Sequence, residues 1–395
     1  MASQSRDAAI VGIYELPERK VDGLSPLQIK AECAAKALAD AGLDWSDIDA
    51  IYDAQDGGGG LNVAEYFGLH PRVMDTTQVG GSSYEFHAAH ARADIAAGRA
   101  NVALLTYGST QASSARRTGT EVRAGGGVPD PGANMEAPWG QTLISMYAMA
   151  AHRHMHEYGT TSEQLAEIAT ATRAHAMRNP QAVKAMEDLL FLNIRETTIE
   201  DVVTSRMIAN PLHLLDCCMV SDGGGAVVIA SPEVARGCAK PPVWIIGAGE
   251  AMAYQENGGD ITTSAGAQSA PIAFGESGVR PDEIDIAMVY DSFTITVLIL
   301  LEDLGFCAKG EGGAWVEGGR LRWDRAGGPA LNTDGGGLSS NHPGMRGIFL
   351  LLEAARQLRG ESTAQVDGAA LAVAHGNGGQ LAGRHSGATI VLARD

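Results

Sequence analysis

The sequence predicts a layered α/β fold in which a β-α-β-α-β unit occurs twice. Short apolar runs alternate with longer small-residue or amphipathic runs, the order that lays helices on the faces of a parallel sheet. That order starts again after Lys240-Pro241-Pro242, and two stretches match across the break. DWSDIDAIYD (residues 44–53) and RPDEIDIAMVYD (residues 280–291) both run acidic residue, Ile-Asp, apolar strand, Tyr-Asp, and both follow a helix closed by glycine. An internal repeat is the economical reading. Fifty glycines beside 45% apolar and only 5% aromatic residues fit the close backbone packing of such layers.

Taken in order, AAIVGIY (8–14) is a strand, and residues 26–43 have helical periodicity with a stop at Gly42. A strand follows around residues 48–52. Residues 75–98, DTTQVGGSSYEFHAAHARADIAAG, form a strand-to-helix elbow: a Thr-rich extended start, a Gly80-Gly81 turn, then Ser82 and Ser83 where an N-cap belongs. Such an elbow lets the backbone approach a ligand and aims the free amides of the first helical turn at negative charge. NVALLTY (101–107) is a buried strand. Residues 109–219 read as a mostly helical insertion with helices over 142–158 and 162–178, after which GGGAVVIA (223–230) resumes the sheet. The first half is thus 1–238 and the second 239–395. The second half begins with the strand PPVWIIGAGEA, a helix over 266–277 closed by Gly278, and the strand of the repeat. It continues with a helix to Leu304, a hairpin-like Gly/Trp-rich region to Trp323 and a glycine loop at 332–343. A helix over 344–358 and strands near 370–375 and 388–392 close the chain. Two such halves stack as five layers, α-β-α-β-α.

A formal net charge of -18 excludes a general role on nucleic acid or anionic membranes, which need a basic footprint, so a polyanionic ligand must meet a local basic patch. Cys33, Cys217, Cys218, Cys238 and Cys307 are an odd set at irregular spacings, and the MASQSRDAAIVG start does not read as a signal peptide, so a reducing, cytoplasmic setting is expected. No apolar run approaches the ~20 residues of a membrane helix. Cys217-Cys218 lacks a second pair at zinc-ligand spacing and reads as structural, and no metal site is expected. His87 and His90, three apart on one helix, read as internally packed; His152, His154 and His156 alternate and read as solvated. The glycine runs at 57–60 and 125–127 lack the P-loop and dinucleotide fingerprints and are loops.

Four stretches carry a resemblance: YGTTSEQLAEIA (158–169), LHLLDCCMVSDGGGAVVI (212–229), YDSFTITVLILLEDLGFC (290–307) and NTDGGGLSSNHPG (332–344). With the two halves, they make the chain similar, over essentially its whole length, to the thiolase superfamily, and within it to the sterol-carrier and lipid-transfer type. The Tyr-Asp-x-Phe-Thr start of the third stretch looks most like the steroid side-chain aldolases. The resemblance implies retro-aldol cleavage of a bulky β-hydroxyacyl-CoA, steroid-like or aromatic, with CoA entering only as part of the substrate and no bound cofactor. It also implies a homodimer and a small OB-fold, zinc-ribbon protein partner. The family's nucleophilic cysteine falls on Gly81, which puts ordinary thiolysis in doubt. Tyr290 stands where thiolases carry Asn or His, His342 of Asn341-His342-Pro343 matches the family histidine, and His375 matches the second family cysteine. The aldolases' second proposed tyrosine is absent, and His342 occupies its loop. Through the inserted region, Arg116, Arg117 and Arg123 are implied as the CoA patch; surface charge is the equal alternative.

A retro-aldol cleavage needs two general acid/base groups and donors near the thioester oxygen, and no covalent nucleophile. Tyr290, His342 and His375 all fall in loops after strands, where α/β sheets place their sites. Tyr290 can act as a base only if a neighbour lowers its pKa from about 10. Residue physics alone favours a strand-end role for it, as for Tyr52; the resemblance reverses that. Asp291 reads as the N-cap of the helix that follows it. Gly81, Ser82, Ser83, Asn341 and Gly378 are the expected substrate and oxyanion contacts, the serines being helix caps first. Two rivals stand beside the aldolase: a Claisen or retro-Claisen acyltransferase, and a catalytically silent thiolase-like subunit.

Overall fold

The computed structural model describes residues 6–54, 59–114, 140, 142–254, 260–325, 327–381 and 384–395. In the first half, β1 (Ala9–Glu15), α1 (Pro26–Ala41), β2 (Ala50–Tyr52), α2 (Gly59–Phe67), β3 (Val73–Asp75), α3 (Ser83–Ala96) and β4 (Val102–Ser109) come in order. The insertion contributes α4 (Leu143–Tyr158), α5 (Ser162–Ala176), α6 (Pro180–Asp188) and the small β5 (Met207–Ala209) and β6 (Leu212–His213) pair, before β7 (Gly223–Ala230). The second half has β8 (Val243–Ala253), α7 (Gly266–Ser277), β9 (Ile286–Val289), α8 (Thr294–Asp303) and β10 (Ala330–Leu331). It closes with α9 (Gly336–Ser339), α10 (Gly347–Arg359), β11 (Leu371–Gly379) and β12 (His385–Ala393).

The strand order is β10-β9-β11-β12-β8-β1-β7-β4-β2-β3, so both halves follow one path, and they meet where β1 pairs with β8 over two residue pairs. The repeat extends to single atoms. A Cβ on Gly12 would stand 2.2 Å from the Ala37 carbonyl, and one on Gly247 would stand 2.2 Å from the Ala273 carbonyl. In each half a glycine in the first strand lets the first long helix press directly on the sheet. The sheet is mixed rather than parallel. β2 runs parallel to β3 and β4, and β9 parallel to β10 and β11, whereas β7 and β12 return antiparallel to both neighbours. The long insertion frees β7 to reverse, and the short connection from β11 to β12 permits only a hairpin.

Alternation along the strands splits the apolar core in two. Ile10, Leu105, Val227, Ile245, Met288, Ala374 and Leu392 join one cluster, while Val11, Leu104, Val228, Ile246, Val289, Val373 and Val391 join the other. α3 and α10 pack against strands of both halves and form the central layer; α1 covers β1, β7 and β4 outside, and α7 covers β8 and β12 on the far side. This is the five-layered arrangement of the thiolase fold.

Several local expectations change. The Gly/Trp-rich region to Trp323 is not a hairpin but a short helix, Gly312–Val316, followed by a 3-10 turn, because successive glycines there turn the chain too tightly for paired strands. Gly59 and Gly60 open α2 rather than a loop. His154 is not solvated: it is fully buried, bonded to Thr160 at 2.8 Å and to the Glu302 carboxylate at 3.1 Å. On a helix, alternate residues face different sides, so one of the three histidines meets α8.

Candidate active site

The elbow is a 3-10 turn, Gly80–Ser82, leading into α3, with Gly80 at φ 80°. Its serines do not cap α3. Ser82 shares a 2.7 Å hydrogen bond with the Ser386 hydroxyl, while Ser83 donates to the Gly80 carbonyl at 2.7 Å and accepts the Val79 amide at 3.0 Å. The tight turn brings the hydroxyls back onto the elbow, so they brace it instead of satisfying helix amides. Gly378 lies against the same turn: a Cβ there would fall 1.9 Å from the Val79 carbonyl and 3.0 Å from the Gly81 amide. Gly81 faces Tyr290. A Cβ at Gly81 would be 2.4 Å from Cε2 and Cζ of the ring and 2.4 Å from the Asn377 carbonyl. The space left by the missing side chain is therefore filled by a tyrosine ring, not held open. Gly81→Ala should cost about 1–3 kcal/mol by overpacking and displace the ring, lowering both the urea midpoint and kcat. An unchanged midpoint would contradict this packing.

Tyr290 leaves the end of β9 with its amide donating to the His375 carbonyl at 3.0 Å, and its ring enters the central layer. There the phenol oxygen lies 3.2 Å from Nε2 of His342, with the rings edge to face at 87°. The Arg346 amide donates to the same oxygen at 3.3 Å. The Arg346 amide takes one lone pair of that oxygen and leaves its proton and its second lone pair for Nε2, so either partner can donate across the pair; Nδ1 has no hydrogen-bond partner among the described residues. The pair is nearly closed off, with 4% of Tyr290 and 3% of His342 exposed. Burial, and next the nearby Cys218, push the Tyr290 phenol well above its usual value. Burial, and next Arg346, hold His342 down at about 4. The lowered phenol pKa that a tyrosinate base needs is absent; at neutral pH the pair is a neutral phenol against a neutral imidazole.

A buried ionic frame fixes this pair. Arg346 at the head of α10 donates to Asp291 at 3.1 Å, to both Asp334 oxygens at 2.8 Å and to the Asn341 side chain at 2.5 Å. Asn341 in turn donates to Glu15 at 2.8 Å, so its side chain serves the frame. Asp291 does not cap the helix after it, which begins at Thr294 with Phe293 as N-cap. Its carboxylate accepts the Gly337 and Leu338 amides of α9 at 2.8 and 3.2 Å, tying the Tyr290 turn to the His342 loop. Burial lifts the Asp291 carboxyl to about 6 against the pull of Arg346.

His375 is not brought to this pair. It lies within β11, which runs on to Gly379 rather than ending before it, and alternation turns its ring to the outer side. There it bonds Thr389 at 2.8 Å, and burial holds it at about 3. Arg116, Arg117 and Arg123 lie outside the described residues. The structure adds groups that sequence reasoning did not place at the site. Tyr147 of α4 accepts from Asn377 at 2.9 Å and packs on Phe293. Cys218 is half-buried beside the site, its thiol pushed up by burial. No spacing in the sequence points to Tyr147 or Arg346, since both reach the site from other elements. Among the described residues no group of His, Cys, Asp and Glu is arranged to hold a metal, and no helix is long and apolar enough to cross a membrane.

Residues 247–394 match the family described as thiolase C-terminal domain-like. A steroid side-chain-cleaving aldolase of Thermomonospora curvata is 35% identical over 380 residues, covering 91% of this chain and 92% of the relative. The chain belongs to the thiolase superfamily. Its relatives within the superfamily span two chemistries, because an acetyl-CoA acetyltransferase of Methanothermobacter thermautotrophicus is 33% identical over 95% of this chain and 97% of the relative. Among solved structures, an Ltp2-ChsH2(DUF35) aldolase superposes with a TM-score of 0.85 at 32% identity, covering 99% of both chains. The superfamily accounts for the doubled half, the shared central layer and the position of the elbow.

Proposed function

We propose that this chain is a carbon-carbon lyase that cleaves a bulky β-hydroxyacyl-CoA by a retro-aldol reaction, giving a carbonyl product and a short acyl-CoA. The observation that carries the reading is the Tyr290–His342 hydrogen bond, with the Tyr290 ring filling the space beside Gly81. As the β-hydroxyl gives its proton to the phenol oxygen, the phenol proton moves to Nε2 of His342, and the Cα–Cβ bond breaks to leave a thioester enolate. The proton returns through the same pair to Cα, so none is gained or lost. The amides of Gly81 and Ser82, at the head of α3, are donors for the enolate oxygen. Likeness to a steroid side-chain-cleaving aldolase and to the Ltp2-ChsH2(DUF35) aldolase supports a bulky side chain and a DUF35 partner; a small OB-fold, zinc-ribbon form of that partner is part of the proposal. A homodimer fits the free edge at β3, the end of the sheet, where Met74 is exposed. A cytoplasmic setting completes the reading.

Chain and partner are to be incubated with β-hydroxyacyl-CoAs of several side chains, and carbonyl and acyl-CoA products quantified by mass spectrometry. Matched carbonyl and short acyl-CoA in equal amounts are expected; neither product from any thioester would sink the proposal. The second reading, acyl transfer, is favoured by the acetyltransferase relative. A covalent acyl group on Ser82, Ser83 or Cys218 in the same experiment would select it.

A further inference from the structure

Glu85, at the third position of α3, is completely buried in the central layer, and neither carboxyl oxygen has a hydrogen-bond partner among the described residues. A carboxyl so placed is costly whether ionised or not, so its retention needs a reason. Its slot is made by two glycines from other elements. A Cβ on Gly376 of β11 would stand 2.1 Å from Oε2, and one on Gly347 of α10 would stand 2.4 Å from it. That same point on Gly347 is 2.5 Å from the Gly81 carbonyl oxygen, so the acid and the elbow carbonyl face one small space. Gly347 directly follows Arg346, whose amide holds the Tyr290 oxygen. Glu85 thus sits behind both the elbow and the Tyr290–His342 pair without touching either reacting group.

We propose that Glu85 is a positioning residue of the lyase, acting as a neutral carboxylic acid that steadies the elbow from behind, and that its ionisation shuts the site off as pH rises. The inference rests on the retro-aldol reading. A neutral carboxyl offers its O–H toward the Gly81 carbonyl and leaves the amides beyond that peptide free for the enolate oxygen. A carboxylate in the same dry slot would set a negative charge beside the developing enolate and oppose it. Burial raises the Glu85 pKa well above the ordinary carboxylate value, opposed first by its own backbone amide and next by Arg346. The groups facing the slot leave Glu85 as the source of an alkaline limb. Arg346 stays cationic on its aspartates, and Tyr290, beyond Gly81, is raised well above its usual value. On β11 the neighbouring His375 ring lies on the opposite face, bonded to Thr389, and the elbow contributes only serine hydroxyls. Asp291, lifted to about 6 and paired with Arg346, titrates in the opposite sense, being needed ionised.

The test compares wild type with Glu85→Gln, which keeps the shape and a donor but cannot ionise. First, thermal stability is followed against pH, a readout that needs no substrate. A folded pKa raised above the unfolded one means that stability is present below the ordinary carboxylate range and lost as pH rises toward the folded value. The Tm advantage of the variant should therefore grow steadily from about pH 4.5 upward, by several degrees. A Tm difference constant with pH would overturn the neutral acid whatever the reaction proves to be. Second, wild-type kcat should fall about tenfold per pH unit along an alkaline limb that Glu85→Gln lacks, with KM little changed. Identical limbs in the two proteins would overturn the positioning role. Absence of lyase activity in both, with the stability result intact, would instead count against the retro-aldol reading alone.

Discussion

Tyr290→Phe should lower kcat by about 10²–10⁴-fold while leaving the fold in place, the range that removal of a general acid/base group costs. The substitution keeps the ring that fills the space against Gly81 and removes only the oxygen shared between the Arg346 amide and Nε2 of His342. Losing that oxygen leaves a buried donor and acceptor unpaired, a stability cost of about 1–3 kcal/mol that denaturation will register. The two readouts therefore separate: a small shift in urea midpoint, a large loss in turnover. The pH dependence of the wild type follows from the same pair. His342 held at about 4 accepts the phenol proton only while neutral, so activity should fall as pH drops through that value. Turnover unaltered by Tyr290→Phe, in the presence of the partner, would move the chain to the silent-subunit reading.

The doubled fold was legible because its signals are local. The Ile-Asp to Tyr-Asp repeat, Gly42 and Gly278 as left-handed helix stops, and the return of an apolar strand after Pro242 each depend on neighbours in sequence. Strand direction was not legible in this way. Whether β7 and β12 run with or against their neighbours is decided by the length and path of connections, which periodicity does not encode. The site divides along the same line. Tyr290 and His342, which the structure brings within 3.2 Å of each other, stood out because each follows a sheet element in a stretch with a resemblance to guide it. Asp291 was read as a cap for its own helix because sequence shows only the chain ahead; the amides it satisfies belong to α9, 46 and 47 residues away. His375 failed for a related reason. Its loop was expected to begin where the apolar run ends, but β11 continues through the glycines, and two more residues of alternation decide which face its ring takes. Nothing in the sequence sets Glu85 apart from any other acidic residue in a first helical turn. Only the packing of β11 and α10 from the second half against α3 buries it.

Arg346→Met should be the most destabilising single change at the site, by about 3–5 kcal/mol, because it removes one side of a buried ion network and strands the other. Met matches the aliphatic stem of the side chain, so the loss is of the guanidinium, with its charge, its hydrogen bonds and the volume it fills. Asp334 loses a two-oxygen contact, Asp291 loses its cation, and the Asn341 side chain loses its donor. The penalty depends on pH in a direction fixed by Asp291. Its carboxyl already stands at about 6 with the guanidinium beside it, and without that charge burial alone raises it further. A folded pKa raised above the unfolded one contributes stability below the ordinary carboxylate range and forfeits it as pH rises. The variant's deficit should therefore be smallest near pH 5 and widen toward pH 8, as urea unfolding at the two pH values would show. Equal deficits would mean that Asp291 finds another partner. Catalysis should fall with stability, since the lost guanidinium braces the His342 loop at Asn341, although the backbone amide to the Tyr290 oxygen is retained. Buffering the variant near pH 5 restores the neutral carboxyl but not the hydrogen bonds to Asn341, so folding should recover further than turnover does.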